Sequence, residues 1–183
     1  MRKKDNLLKV AQSSRSPRLL SQMTDEAIPL NDLYTLVELS LNPLTPPDAL
    51  RKMYQKYGHE HYSPVVENIS ENPNTPLDVL KDLSKSVYYV ICILRNPSLP
   101  PPLIEQIYTV HGNAWGCAFF HISKHPNTLV KILDELSSHP QEEIRANVAS
   151  NPSTQIETLL KLSFDDNAWV RNTAQDRLMK SIQ

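Results

Sequence analysis

The side chains able to do chemistry are scattered along this chain. His59-Glu60-His61 is a close pair of imidazoles, and His111, His121, His125 and His139 add others. Neither Cys-x-x-Cys nor His-Glu-x-x-His accompanies them, and those are the spacings that assemble zinc sites. The pair sits in Tyr57-Gly58-His59-Glu60-His61-Tyr62, which reads as a surface loop. Cys117 and His121 stand four apart, a spacing that joins side chains on a helix. A thiolate nucleophile needs an exposed, electropositive setting, whereas Trp115-Gly116-Cys117-Ala118-Phe119-Phe120 reads as buried. There is no Gly-x-Ser-x-Gly and no phosphate-cradling loop. Glu142-Glu143 and Asp165-Asp166 stand where helices begin, and there acids complement the helix dipole. The expectation is no catalytic residue, no metal and no cofactor.

The elements that hold these residues follow from composition and repetition. The chain has 183 residues, 40 % hydrophobic and 21 % charged, which places it among folded globular proteins. No apolar run approaches the ~18 residues of a membrane span, and the basic start lacks the apolar core of a secretory signal. Cys92 and Cys117 lie among apolar residues, which suits buried, reduced thiols of a cytoplasmic protein; a disulfide between them is the alternative. Glycine is scarce, 3 residues, and proline abundant, 15. That balance disfavours hairpins and long helices and suits many short helices beginning near prolines. Residues 1–18 carry six basic side chains (Arg2, Lys3, Lys4, Lys9, Arg15, Arg18) against Asp5 alone. The rest carries 13 basic and 19 acidic side chains.

Asn-Pro recurs at Asn42-Pro43, Asn72-Pro73, Asn96-Pro97 and Asn151-Pro152, with His125-Pro126 in the place of a fifth. The segments that follow align: NPLTPPDAL, NPNTPLDVL, NPSLPPPLI, HPNTLVKIL and NPSTQIETL. Thr45, Thr75, Thr128 and Thr154 share one position, with Leu99 as the exception. Pro46, Pro76 and Pro100 come next, and Asp48, Asp78 and Glu157 stand three after their threonines. The pattern predicts a threonine N-cap, proline at N1 and an acid reaching back to the cap. Leu50, Leu80, Ile104, Leu133 and Leu159, with Met53, Leu83, Ile107, Leu136 and Leu162 three further on, predict the buried face of a leading helix. A trailing helix precedes each Asn-Pro and buries Val65/Ile69, Tyr89/Ile93, Ala118/Ile122 and Ile144/Val148; the proline ends it. Ser13 and Ser16 mark a degenerate sixth copy at the front. No unit can bury its apolar face alone, so the units are expected to stack. The expected fold is all-α, an α-solenoid of about six short helical repeats in a single domain. Residues 1–12 would be a basic N-terminal helix or arm, 13–176 the repeats, and 177–183 a C-terminal cap.

The pattern Val-Arg-x-x-Val-Ala-x-Asn-Pro-x-Thr-Pro-x-x-x-Leu-x-x-Leu, closest in residues 144–162 and 72–83, resembles the leucine-rich repeat variant family. The resemblance spans roughly residues 8 to 178. It implies a right-handed superhelix that alternates α-helices with 3₁₀ helices, and it implies no activity. Some members carry an iron–sulfur centre on a cysteine cluster; no such cluster exists here, so that cofactor is not carried over. The arginine of Val-Arg persists only as Arg145 and Arg171, with Val66, Val90 and Phe119 at the equivalent positions.

Two functional readings follow. In the first, the chain is a cytoplasmic, bacterial, non-enzymatic scaffold that binds a partner protein or peptide on its solenoid surface. The residues least like the repeat, and expected to be exposed, would make contact: Tyr88, Tyr89, Trp115, Arg145, Trp169 and Arg171, since aromatics and arginine are favoured at hot spots. In the second, it binds nucleic acid through the arm of Arg2, Lys3, Lys4, Lys9, Arg15 and Arg18. Trp115, Trp169, Arg145, Arg171 and Asp165 also permit a fold-level comparison with helical-repeat DNA glycosylases. The acidic remainder of the chain argues against a long basic groove.

Overall fold

The computed structural model describes residues 2–59, 62–111 and 116–181. Those residues form thirteen helices and no strand. The chain divides into two compact units, Met1–Ser98 and Leu99–Gln183.

The first unit holds α1 (Arg2–Ser13), α2 (Pro17–Leu30), α3 (Leu33–Leu41), α4 (Pro47–Tyr57), α5 (Pro64–Glu71), α6 (Leu77–Leu83) and α7 (Val90–Ile93). The second holds α8 (Pro101–His111), α9 (Gly116–Lys124), α10 (Val130–Leu136), α11 (Glu142–Ser150), α12 (Ile156–Leu162) and α13 (Ala168–Ser181). Leading helices are the even-numbered ones and trailing helices the odd-numbered. Trailing helices pack on trailing helices: α1 on α3, α3 on α5 and α5 on α7 in the first unit, α9 on α11 and α11 on α13 in the second. The periodic positions form the core. Leu50, Leu80, Ile104, Leu133 and Leu159 are all buried, as are Met53, Leu83, Ile107, Leu136 and Leu162.

The helix starts differ from expectation. Pro46 and Pro76 occupy the cap positions of α4 and α6, not N1, and neither helix has a side-chain cap. Each threonine hydroxyl instead points backward. Thr45 Oγ1 donates to the Leu39 carbonyl at 2.6 Å, Thr128 to Ile122 at 2.6 Å and Thr154 to Val148 at 2.6 Å. Thr75 makes the same bond to Ile69. The threonine therefore gives a second hydrogen bond to a carbonyl in the last turn of the trailing helix, which already accepts the Asn or His amide three residues on. Among the described leading helices the degenerate first copy uses a hydroxyl cap: Ser16 Oγ accepts from the Leu19 amide at 3.3 Å, with Pro17 at N1. The expected alternation of α with 3₁₀ helices is also absent among the described residues, since both helices of each pair are α-helical. Tight i→i+3 bonds occur at the joints, as from Thr75 N–H to the Asn72 carbonyl at 3.1 Å.

The asparagines bind the repeats to one another. Asn72 Nδ2 donates to the carbonyls of Ser40 at 2.8 Å and Asn42 at 2.9 Å. Asn96 repeats this on Ser70 and Asn72, and Asn151 on Ser123 and His125. Asn42 reaches Ala11 at 2.9 Å and Ser14 at 3.0 Å, so α1 is stacked by the same device. The other end of each carboxamide accepts from the amide two residues on, as Asn151 Oδ1 does from Ser153 at 2.9 Å. His125 performs that half of the task with Nδ1, which accepts from the Asn127 amide at 3.1 Å.

Candidate functional site

The residues proposed from sequence fall into four groups. Tyr88 and Trp169 are exposed, each at 54 %. The Tyr88 ring meets Tyr62 edge-on with centroids 5.0 Å apart, and Tyr62 stands in left-handed backbone at φ 65°. Tyr89 is not exposed, contrary to expectation. It is buried, and its hydroxyl accepts from the Ser63 amide at 3.4 Å, because the i, i+4 face that carries Ile93 carries Tyr89 as well. Trp115 lies outside the described residues, as do the side chains of Arg2, Lys3 and Lys4. Lys9, Arg15 and Arg18 are exposed around the α1–α2 turn.

Arg145 and Arg171 are anchored inside the second unit. Arg145 Nε and Nη2 donate to the two Asp165 oxygens at 2.8 and 2.9 Å, with the side chains only 16 % and 10 % exposed. Its Nη1 closes the turn before α11 by donating to the carbonyls of His139 at 2.8 Å and Pro140 at 3.0 Å. Arg171 Nη1 closes the next turn in the same way, on Asp165 at 2.6 Å and Asp166 at 3.3 Å. The arginines thus hold the joint from a leading to a trailing helix, which a Val or Phe at that position cannot do. The Arg145 guanidinium holds the Asp165 carboxyl below the usual carboxylate range. Burial, then the nearby Arg145 charge, pushes His139 below the ordinary imidazole value, consistent with His139 Nδ1 accepting from the Gln141 amide at 3.1 Å.

These residues border a cleft of about 380 Å³ whose lining includes Ser138, His139, Arg145, Lys161, Phe164 and Asp165. Lys161 Nζ donates to the hydroxyls of Ser137 at 2.8 Å and Ser138 at 2.6 Å. Phe164 stands at its edge, 83 % exposed. Sequence reading missed both Phe164 and the Arg145–Asp165 pair. The arginine and aspartate are 20 residues apart, and only the stacking of repeats joins them. Asp165 holds Arg145 rather than the start of α13, where Asn167 Oδ1 accepts from the Trp169 amide at 2.9 Å.

The thiols also differ from expectation: Cys117 is exposed and Cys92 half-buried, both free. Burial raises the Cys92 thiol above its ordinary value, which suppresses the thiolate. Among the described residues no three His, Cys, Asp or Glu side chains converge as a metal would require. Among the described residues no helix is long and apolar enough to cross a membrane.

The leading helices are linked by a constant register. The residue six after the threonine position meets the residue three or four after it in the next leading helix. Arg51 thus meets Asp78 at 3.1 Å, and Asp134 meets Thr158 at 3.2 Å; Glu105 pairs with Lys131 in the same way. The residue nine after it meets the one seven after in the next helix. Tyr54 pairs with Asp82 at 2.7 Å and Tyr108 with Glu135 at 2.7 Å; Asp25, one position further along its helix, pairs with Lys52 at 2.6 Å. Burial and the Glu135 carboxylate push the Tyr108 phenol up to about 12.

No family model matches the chain, and no curated protein or solved structure is significantly similar to it.

Proposed function

We propose that this chain is a non-enzymatic interaction module, cytoplasmic and bacterial, that binds a partner protein or peptide. In this reading the repeats form one domain, a right-handed α-solenoid of the leucine-rich repeat variant type. The asparagine bridges and the register of leading helices, found in both units, support the solenoid. One observation carries the interaction role: the repeated polar residues are consumed by stacking, whereas large side chains outside the repeat pattern, Tyr88, Phe164 and Trp169, are left exposed at 54 %, 83 % and 54 %. Exposed aromatics of this kind are the usual anchors of protein interfaces. Arg145 and Arg171 act as positioning residues rather than contacts.

The test is a native pull-down with and without nuclease, repeated with the Tyr88→Ala/Trp169→Ala variant. Partners that persist after nuclease and fall at least about tenfold with the variant are expected. Undiminished capture by a folded variant removes these aromatics from the interface.

A second reading, nucleic-acid binding, draws on the exposure of Lys9, Arg15 and Arg18. It requires capture that vanishes with nuclease and binding that weakens steeply with salt.

A further inference from the structure

In each unit, one pair of leading helices is joined from the tenth residue after the threonine position to the seventh in the next repeat. The buried side chains fix the count: Leu20 and Met23 of α2 fall with Leu50 and Met53 of α4, which places Asp25 at the tenth position, and Ser138 stands at the tenth after Thr128. Lys52, the seventh after Thr45, donates to Asp25 at 2.6 Å. Lys161, the seventh after Thr154, donates to Ser138 at 2.6 Å. The lysine and the distance are the same, but a hydroxyl stands where the first unit has a carboxylate. Ser137 adds a second hydroxyl at 2.8 Å. Lys161 is thus held in place by neutral partners.

Lys161 borders the cleft of about 380 Å³. Two of its three N–H groups go to the serines, which leaves one for a ligand. Ser137 donates its own proton to the Asp134 carbonyl, whereas Ser138 accepts from Lys161 and keeps a proton to give. His139 Nδ1 accepts from the Gln141 amide, so the neutral ring carries its proton on Nε2, and that ring lines the same cleft. Arg145 and Asp165 neutralise one another through their two hydrogen bonds. Asp166, also in the lining, opposes a second negative charge, which suits the cleft to one carboxylate and not to a run of phosphates. Phe164, exposed at the edge, offers an apolar surface beside these donors.

We propose that this cleft binds a peptide carboxylate, with Lys161 and Ser138 donating to its oxygens and an adjoining apolar side chain resting on Phe164. The ligand brings to Lys161 the charge that Asp25 brings to Lys52 in the first unit. The inference rests on the peptide-binding reading and gives it a ligand chemistry: a carboxylate next to an apolar side chain, from a chain terminus or from an acidic residue.

The test is a nitrogen-15 NMR titration of the full chain with three probes, each up to about 20 mM, the range of weak contacts. They are acetyl-phenylalanyl-leucine with a free terminal carboxylate, acetyl-glutamyl-leucine amide with a side-chain carboxylate, and the neutral acetyl-phenylalanyl-leucine amide. The expected result is saturable shifts of the Ser138, Lys161 and Phe164 amides with a carboxylate probe, the tighter of the two naming the source, and binding of the neutral amide weaker by at least about tenfold. Lys161→Met should weaken the carboxylate probe by at least about tenfold. Ser138→Asp should do the same, because it restores the internal partner that Lys52 has, while Ser138→Asn should stay within about twofold. Both positions are exposed, and the dispersion of the same spectra confirms that the variants fold. The proposal is overturned if neither carboxylate probe gives saturable shifts, if the neutral amide binds as well, if Lys161→Met or Ser138→Asp binds like wild type, or if Ser138→Asn loses as much as Ser138→Asp. Nuclease-resistant partner capture that persists beside any of those results overturns this site alone and leaves the interaction role standing.

Discussion

Asn151 makes three hydrogen bonds with one carboxamide: Nδ2 donates to Ser123 and His125 carbonyls, and Oδ1 accepts from the Ser153 amide. The side chain is 2 % exposed, so removing it strands polar groups that water cannot reach. Asn151→Ala should lower stability by about 2–3 kcal/mol, read from urea unfolding; a change below about 0.5 kcal/mol would mean the bridge does not hold the repeats together. Asp165 adds a pH dependence. Its pKa is lower in the folded chain than in the unfolded one, held down chiefly by the Arg145 hydrogen bonds. The unfolded state therefore binds the proton first, and stability falls as pH drops from the ordinary carboxylate value, about 4, through the folded one. His139, also lowered, acts earlier: protonating the unfolded imidazole draws on stability as pH falls through about 6.5. Thermal melts across pH should show both losses, and Asp165→Asn should flatten the more acidic one while lowering stability at neutral pH.

A leading helix such as α6 is seven residues long, too short to be stable by itself in water. It persists because Val79, Leu80 and Leu83 are buried and because Thr75 and Asn72 tie its entry turn to the trailing helix and to the preceding repeat. Leu80→Ala should therefore cost roughly 2–5 kcal/mol, measured by chemical denaturation, and a silent Leu80 would shift the whole repeat register. The threonine hydroxyl works on the element before it rather than on the helix it precedes. That difference was invisible in the pattern of Thr, Pro and Asp, because a cap on the next helix and a plug on the last one use the same residue at the same place.

In the proposed solenoid, stability is a sum over neighbouring repeats. Each asparagine reaches only the adjacent repeat, and each leading-helix link joins one helix to the next. A repeat stack of this kind loses structure locally. Hydrogen exchange of Asn151→Ala should show lost amide protection in α9 and α11 with α3 and α5 unchanged; uniform loss would mean a single cooperative core.

The sequence by itself determined the helical elements, their pairing around Asn-Pro and their buried faces. Those features depend on spacings of three and four residues, which every copy of the repeat carries locally. Leu50, Met53 and their equivalents could be identified without coordinates for that reason. The tertiary structure decided which polar residues are spent on stacking and which side chains remain for a partner. Arg145 finds Asp165 twenty residues away, Tyr89 turns inward, and Phe164 is left in solvent. Such outcomes depend on the register of one repeat against the next. A single repeat cannot encode that register, because both partners of each contact exist only after stacking.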